Sequence, residues 1–290
     1  MTETFDADWL SLREEHDHAA RHAGLALALS AALPERPRLL DLGAGTGSLF
    51  RWLAPILGRA QAWTLVDADL GLIRRAFAET EAWAKANGWA TSWPSRQVLL
   101  VHTPAGAWRM EGLITDLCDA PGNLPLDRTD AVVNTALCDL VSRAWVRRMA
   151  EGLRQHRLPF YAALNVSGHE RFFPPHPADV LVARGFRRDQ ARDKGFGGVA
   201  LGPEAPSAMA RAFGAAGYRV LLAPSDWRIG RGFSGFAATL AEGHANAARA
   251  RLPGHRAAIA AWLAARRRQA ARGALSARIG HTDLLALPPC

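Results

Sequence analysis

The stretch that most constrains this chain is "RLLDLGAGTGSLF", residues 38–50. An apolar strand runs through Asp41 and ends in three glycines spaced two apart, Gly43, Gly45 and Gly47. A glycine turn between a strand and a helix lets the backbone approach a ligand closely, because a Cβ atom would stand in the way. The turn also presents free N–H groups at a helix N-terminus. The stretch therefore predicts a ligand site at the end of the first strand.

The glycine spacing separates two classes of ligand. A dinucleotide fingerprint is G-x-G-x-x-G, with the third glycine three residues after the second. Counted from Gly45, that position is Ser48. The pattern present is D-x-G-x-G-x-G, which favours a different ligand.

Further along the chain, apolar strands alternate with helices. This order predicts an α/β fold, a parallel sheet with helices on both faces. The strands are expected at 38–42, 62–67, 97–101, 112–115, 130–134 and 158–166, and the intervening helices at 48–57, 70–86 and 139–155.

With these residues in place, the chain resembles the class I S-adenosylmethionine-dependent methyltransferases, mainly over residues 37–166. The resemblance implies a Rossmann-like seven-stranded sheet and S-adenosylmethionine as cofactor. It also implies that an acid ending the second strand accepts both ribose hydroxyls, that the adenine lies after the next strand, and that the methionine end lies after the fourth. The cofactor-binding residues are then Asp41, Gly43, Gly45, Gly47, Asp67, Asp116, Leu117 and Asn134.

The family's last strand inserts between the fifth and the sixth. Here "YRVLLAP", 218–224, is expected to be the sixth strand, and "ARIGHTDLLAL", 277–287, the seventh, displaced by alanine-rich helices at 236–272. We expect one methyltransferase domain over 1–290. Its parts are an N-terminal helical lid (1–36), a cofactor-binding core (37–166) and an acceptor side with an insertion after the fifth strand (167–290).

The sequence indicates the methyl acceptor less clearly than it indicates the cofactor. No N/D-P-P-Y/F tetrapeptide follows the fourth strand, which disfavours methylation of an amino group on adenine, cytosine or glutamine. Candidate catalytic residues are Asp139, His169, Lys194 and His281, with Trp227 and Asp283 near the same edge. Each also has a structural interpretation, as a cap, a loop residue or a sheet residue, and the general base is left unassigned.

Two segments are expected to enclose the acceptor. The glycine-rich segment 169–206 carries Phe172, Phe173, Phe196 and Lys194, and an aromatic wall with a placed charge is typical of small-ligand sites. The N-terminal helix carries Arg13, Asp17 and Arg21. Arg21 is either a ligand for a carboxylate of the cofactor or acceptor, or one member of an intrahelical ion pair.

The composition of the chain limits the kinds of partner that we expect it to bind. The formal net charge is +8, but 33 of the 35 basic residues are arginines, as a compositionally skewed genome also produces. We therefore do not expect a nucleic-acid partner. The three cysteines lack metal-ligand spacing, so no metal is expected. No apolar run spans a bilayer and the N-terminus is acidic, so a cytoplasmic location without a membrane partner is expected.

These observations favour methyl transfer to a small-molecule acceptor. The alternatives are an RNA or protein methyltransferase, supported by the net charge and the arginine-rich C-terminal helices, and a NAD-binding Rossmann protein. Titration with each cofactor distinguishes a NAD-binding protein from either kind of methyltransferase. The salt dependence of RNA binding distinguishes a small-molecule methyltransferase from one that acts on RNA.

Overall fold

The computed structural model describes residues 6–289, so Cys290 and the first five residues of the predicted lid lie outside the described residues. Asp6 caps the first helix by accepting a hydrogen bond from the Asp8 N–H at 2.8 Å. The helices are α1 (Ala7–Ala20), α2 (Ala23–Ala32), α3 (Ser48–Leu57), α4 (Leu70–Ala86), α5 (Arg143–His156), α6 (Asp179–Gln190), α7 (Ala205–Ala215), α8 (Ser234–Arg251) and α9 (Arg256–Ala271).

All strands of the described chain join one sheet, in the order β3-β4-β5-β2-β1-β6-β7-β10-β8, with β9 paired to β10. The strands are β1 (Arg38–Leu42), β2 (Gln61–Asp67), β3 (Ala90–Ser95), β4 (Val98–Thr103), β5 (Gly106–Ile114), β6 (Ala131–Thr135), β7 (Phe160–Phe173), β8 (Arg219–Pro224), β9 (Trp227–Ile229) and β10 (Ser276–Leu287). Strands β5, β2, β1, β6 and β7 are parallel neighbours, and β10 is antiparallel to both β7 and β8.

The last strand of the sequence, β10, lies between the fifth and sixth strands of the core, β7 and β8. This insertion is the strand order that the family resemblance implied, and it confirms the predicted Rossmann-like fold. The hairpin of β3 and β4 extends the other edge of the sheet beyond β5. The β3 strand was not predicted, because its sequence "ATSWPS" contains a proline and is mostly exposed.

Alternating side chains of the parallel strands bury the two faces of the sheet. Leu39 and Leu65 face a core shared with α2, α3 and α4, whereas Leu40 and Val66 face a core shared with α5 and α7. Both faces are thus covered by helices, as a parallel sheet requires.

A third core lies outside the main sheet. Strands β7 and β10 continue together past the carboxyl edge of the parallel strands, pairing as far as Phe173 with Ser276. Helices α6, α8 and α9 pack on this ribbon around Phe172, Trp262 and Ile259. We call the ribbon with β9 and these three helices the inserted module.

The segment from 168 to 205 differs from our expectation of an irregular segment, because much of it is regular secondary structure. It continues β7, forms α6, and becomes irregular only from residue 191. The predicted helix at 139–155 also begins later, at Arg143, because Ser142 caps it by accepting the Trp145 N–H. No helix among residues 6–289 is both long and apolar enough to cross a membrane.

Candidate active site

The glycine turn stands at the carboxyl edge of the sheet, between β1 and α3. Gly43, Gly45 and Gly47 have φ values of 63°, 54° and 82°, a region that residues with a Cβ rarely adopt. A Cβ atom on Gly45 would lie 3.1 Å from Leu10 Cδ1 of α1. The turn therefore needs glycine both for its backbone conformation and for the close approach of α1.

Asp67 ends β2 beside this turn, as predicted. Its Oδ2 accepts the Gly45 N–H at 3.0 Å and its Oδ1 accepts the Asp69 N–H at 3.0 Å. Burial raises the pKa of the Asp67 carboxyl, and these two backbone hydrogen bonds oppose the shift. Each carboxylate oxygen can accept more than one hydrogen bond, so both remain able to receive hydroxyl donors.

A cavity of about 440 Å³ opens in front of these groups. Five of the predicted cofactor residues line it, namely Gly43, Gly45, Asp67, Asp116 and Leu117, while Gly47 is not part of the wall. The cavity wall includes Leu10, Arg13, Asp17, Gly43, Gly45, Ser48, Asp67, Asp116, Leu117, Thr135, Leu140, Lys194 and Phe196. The volume is within the range of ordinary small-molecule sites.

Two predicted cofactor residues lie behind the wall. Asn134 is fully buried, donates to the Tyr161 carbonyl at 3.3 Å and accepts from Cys138 Sγ at 3.3 Å. The next residue, Thr135, lines the cavity instead. Asp41 is also fully buried and does not reach the cavity.

Asp41 has an unusual environment. Within residues 6–289, neither carboxylate oxygen has a hydrogen-bond partner. Burial raises its pKa to about 8, aided by the charge of Asp67 and opposed by the nearby Arg21. The Asp41 carboxyl is therefore largely protonated at neutral pH.

Arg21 connects three parts of the site. Its Nη2 donates to Ser48 Oγ at 3.0 Å and to Thr135 Oγ1 at 3.3 Å, and it lies 3.8 Å from Asp17 Oδ2. The side chain is fully enclosed. The structure shows Arg21 ion-paired with Asp17 of the preceding helix. Its guanidinium contacts Ser48 and Thr135, which line the cavity, but does not itself line it.

Helix α1 closes over the turn. Arg51 of α3 is buried and binds Glu14 of α1 and Glu79 of α4 in ion pairs. Burial alone would raise the Glu14 pKa, but hydrogen bonds from His18 and Arg51 outweigh it and lower the value to about 2. This clamp holds the N-terminal helix above the cavity, where it contributes Leu10, Arg13 and Asp17.

Of the four catalytic candidates, the structure brings one into the cavity. Lys194 lines it, with 6% of its surface exposed, next to Phe196. His169 is exposed on β7, where its Nδ1 lies 3.2 Å from Ser167 Oγ. Asp139 precedes the cap of α5, and its carbonyl accepts the Gly202 N–H at 2.8 Å. Neither His169 nor Asp139 belongs to the cavity wall.

His281 and Trp227 lie one layer behind α1. Their rings are 4.9 Å apart, and Trp227 Nε1 donates to Asp17 Oδ1 at 3.0 Å beneath the Arg13 guanidinium. Burial and the charge of Arg13 lower the pKa of His281 to about 4, so the ring is neutral at pH 7. This layer holds α1 against β9 and β10.

Asp283 supports the same region from below. It accepts the His22 N–H and the Leu164 N–H, each at 2.8 Å, and the Tyr161 hydroxyl at 3.2 Å. Asp283 is fully buried. It therefore fixes the junction of α1 and α2 on β7 and does not reach the cavity.

The aromatic residues of the 169–206 segment separate in the structure. Phe196 lines the cavity, Phe172 is buried in the inserted module 5.4 Å from Trp262, and Phe173 is exposed. Arg13 and Asp17 of the N-terminal helix line the cavity, where the helix was expected to enclose the acceptor. Leu10 of the same helix and Leu140 beyond β6 also line it and were not predicted. Only the apolar position of Leu10 beside charged residues could have indicated its role.

The chain is similar to one curated protein over part of its sequence, and solved structures align with it over most of its length. No family model matches the sequence. A stretch of 66 residues is 48% identical to the biotin biosynthesis bifunctional protein BioCD of Bordetella avium, and it covers 22% of this chain but only 14% of that protein. The chain therefore spans about a seventh of the length of the curated relative that it matches.

Solved structures align over most of the chain at low identity. A S-adenosylmethionine-dependent methyltransferase from Geobacter sulfurreducens, in complex with S-adenosylhomocysteine, is 16% identical over 100% of both chains, with a TM-score of 0.45. The cyclopropane synthase MmaA2 from Mycobacterium tuberculosis is 13% identical over 91% of this chain and 82% of that chain, with a TM-score of 0.44.

The strand order, with β10 inserted between β7 and β8, and the D-x-G-x-G-x-G turn at the carboxyl edge together define the class I S-adenosylmethionine-dependent methyltransferase fold. Members of this class are enzymes that use S-adenosylmethionine as the methyl donor.

Proposed function

We propose that this chain transfers a methyl group from S-adenosylmethionine to a small-molecule acceptor. The observation that carries the proposal is the cavity of about 440 Å³, whose wall contains Gly43, Gly45 and Asp67 together with Lys194 and Phe196. One cavity thus contains groups suited to a nucleoside and also an aromatic ring and a cation.

The residues present fit this cofactor. The backbone at Gly43 and Gly45 offers a surface that a Cβ would occupy, and Asp67 directs a carboxylate into the same space. We assign Asp67 to the two ribose hydroxyls, and Asp116 with Leu117 to the adenine. When bound, S-adenosylmethionine supplies a methyl group activated by a positively charged sulfur.

The chain's remaining task is to orient the acceptor. In-line transfer requires the acceptor atom about 3–3.5 Å from the methyl carbon. We assign the acceptor to the end of the cavity formed by Leu140, Lys194 and Phe196. There the Lys194 ammonium would orient a polar or anionic group while the two apolar side chains exclude water. No base is assigned, because the structure brings neither His169 nor His281 to this end.

Calorimetric titration of the purified chain tests the cofactor assignment. We expect S-adenosylmethionine and S-adenosylhomocysteine to bind with micromolar dissociation constants and NAD to show no binding at 1 mM, about a thousandfold difference or 4 kcal/mol. Preferential binding of NAD would replace the proposal with a dinucleotide-binding function. Incubation with a metabolite extract and methyl-labelled S-adenosylmethionine then tests for small labelled products.

A further inference from the structure

The net charge of the chain is concentrated in one region. Residues 225–280 contain ten arginines and only two acidic residues, Asp226 and Glu242. The whole chain has 35 basic and 27 acidic residues, so the rest of the chain is balanced at 25 of each. The formal net charge of +8 therefore comes entirely from the region that forms β9, α8, α9 and the start of β10.

This distribution changes the interpretation drawn from composition. A compositional bias that replaces lysine by arginine leaves the balance of charges unaltered, and so does not place the excess in one region. In the balanced remainder of the chain, as in residues 225–280, nearly all basic residues are arginines. The excess in residues 225–280 thus needs a separate explanation.

Most of these arginines have no acidic partner within residues 6–289. Four form ion pairs with a carboxylate, namely Arg251, Arg266, Arg267 and Arg278. No ion pair with a carboxylate is found in the described chain for Arg228, Arg231, Arg249, Arg256, Arg268 and Arg272. All six except Arg249 are exposed. Placing like charges together without partners is unfavourable unless an anion binds them.

Two exposed aromatic rings lie at one end of this surface. Ser234 Oγ donates to the carbonyls of Arg231 (2.7 Å) and Leu275 (2.8 Å), which brings the start of α8 beside the start of β10. Phe173 pairs with the next residue, Ser276. Phe173 and Phe233 are 42% and 44% exposed, although large apolar side chains are normally buried.

Arg268 and Arg272 reach the same end. They lie on the last turn of α9 and directly after it. Arg266, two residues before Arg268 on the buried side of this helix, donates to the Pro174 carbonyl, which places this end of α9 near Phe173. We call the set Arg231, Arg268, Arg272, Phe173 and Phe233 the arginine–phenylalanine surface.

We propose that the arginine–phenylalanine surface binds single-stranded nucleic acid. Guanidinium groups without carboxylate partners neutralise phosphates, and exposed aromatic rings give unpaired bases a stacking platform. The combination favours a single strand over a duplex, because stacked and paired bases have no free face for the phenylalanines. This binding does not require that the nucleic acid be methylated, nor that the cofactor be present.

Fluorescence anisotropy with a labelled 20-mer of uridylate, with a thymidylate 20-mer alongside it, tests the proposal on the full chain without cofactor. We expect a dissociation constant on the order of 10 µM at 100 mM KCl. The triple variant Arg231→Glu, Arg268→Glu, Arg272→Glu should bind at least tenfold more weakly. Its salt slope should decrease by about 2, because each lost contact to a single strand removes about 0.7.

A matched control changes the same charge elsewhere. Arg74, Arg147 and Arg211 are exposed on α4, α5 and α7 and have no carboxylate ion pair in the described chain. Their triple change to Glu should reduce affinity less than threefold. Phe173→Ala should weaken binding about fivefold without altering the salt slope, since stacking is not ionic. Circular dichroism and thermal unfolding verify that each variant is folded.

Four results would overturn the proposal. They are no wild-type binding below 1 mM at 50 mM KCl, equal losses in the two triple variants, binding of a 20-base-pair duplex as tight as the single strand, and equally effective competition by poly-glutamate. The last two would indicate a general attraction for polyanions, including acidic proteins. None of them bears on the cofactor titration, so the proposed methyl transfer stands or falls separately.

Discussion

Arg21 Nη2 donates a hydrogen bond to Ser48 Oγ at 3.0 Å, although the two residues are 27 positions apart in the chain. Arg21 directly follows α1, and Ser48 is the first residue of α3 after the glycine turn. This contact, made by a fully enclosed guanidinium, joins the end of α1 to the start of α3. The N-terminal helix is therefore part of the cavity that we propose for the cofactor.

Replacing Arg21 by methionine should destabilise the protein by about 1–3 kcal/mol, because Ser48 would lose a donor and Asp17 would lose one of its two cationic partners, while Arg13 stays paired with Asp17 at 3.1 Å. Urea unfolding measures the change in the free energy of unfolding. Arg21→Lys, which keeps the charge but not the planar fork, should lose less. Arg74→Met on the exposed face of α4 is the control. A loss below 1 kcal/mol for Arg21→Met would contradict this structural role.

Removing the carboxylate at the end of β2 should weaken cofactor binding. Asp67→Ala is expected to raise the dissociation constant of S-adenosylmethionine at least tenfold, about 1.4 kcal/mol or more, because the ribose hydroxyls would lose a charged acceptor. Calorimetry measures the constant. Asp67→Asn retains an acceptor for the Gly45 N–H and isolates the charge, while Asp127→Ala, exposed on the opposite edge, is the control. An unchanged constant would place the ribose elsewhere.

Substituting the middle glycine of the turn should abolish cofactor binding. In Gly45→Val the new side chain meets Leu10 as well as the ligand, so we also expect α1 to be displaced, beyond the purely local clash that the sequence suggested. Gly88→Val is the matched control, because Gly88 has a φ of 74° and open space around its Cβ position. Normal affinity in Gly45→Val would show that the backbone does not approach the cofactor there.

The stability of the apo protein should depend on pH through Asp41. The folded pKa of about 8 lies above the usual 3.8, so between these values the folded state holds a proton that the unfolded state has lost. The free energy of unfolding therefore falls as pH rises from about 4 to about 8, by up to about 1.4 kcal/mol per pH unit.

Asp41→Asn cannot titrate, so its stability relative to wild type should increase across this range. Urea unfolding of both proteins at intervals of half a pH unit measures the difference. Parallel pH profiles of the two proteins would refute a raised pKa at Asp41.

Once an acceptor is identified, Lys194→Ala should lower kcat/KM at least tenfold and leave the dissociation constant of S-adenosylmethionine within twofold. The expectation follows from the position of Lys194 with Phe196 in the cavity wall, where we propose that the acceptor binds. Lys85, the other lysine, is exposed on α4 and serves as the control in Lys85→Ala. Full turnover in Lys194→Ala, or loss of cofactor binding alone, would leave the acceptor site unlocated.

Local sequence patterns were sufficient to bring five of the eight residues predicted for the cofactor to the cavity wall. Glycines at alternate positions after an apolar strand allow few backbone conformations, and Asp67 follows from the strand beside it. The order of strands and helices likewise constrained the sheet, because parallel neighbours require helical crossovers. Even the displaced seventh strand was recognisable, since "ARIGHTDLLAL" is an apolar run long enough to cross the sheet.

Patterns at strand ends were less informative. Asn134 and Thr135 are adjacent polar residues, but successive side chains of a strand point to opposite faces, and the structure turns Thr135 to the cavity and Asn134 to the interior. A one-residue difference at the end of a strand cannot be read from residue type alone.

Tertiary structure alone decided which distant segments meet at the cavity. Arg21 reaches Ser48 and Thr135, and Lys194 reaches the cofactor edge, only because β7 and β10 continue past that edge and α1 packs across it. These contacts join residues that share no local periodicity, so no window of sequence encodes them. The sequence by itself determined the turn and the sheet through local backbone sterics and burial, whereas long-range packing selected which polar groups face the ligand and which remain buried.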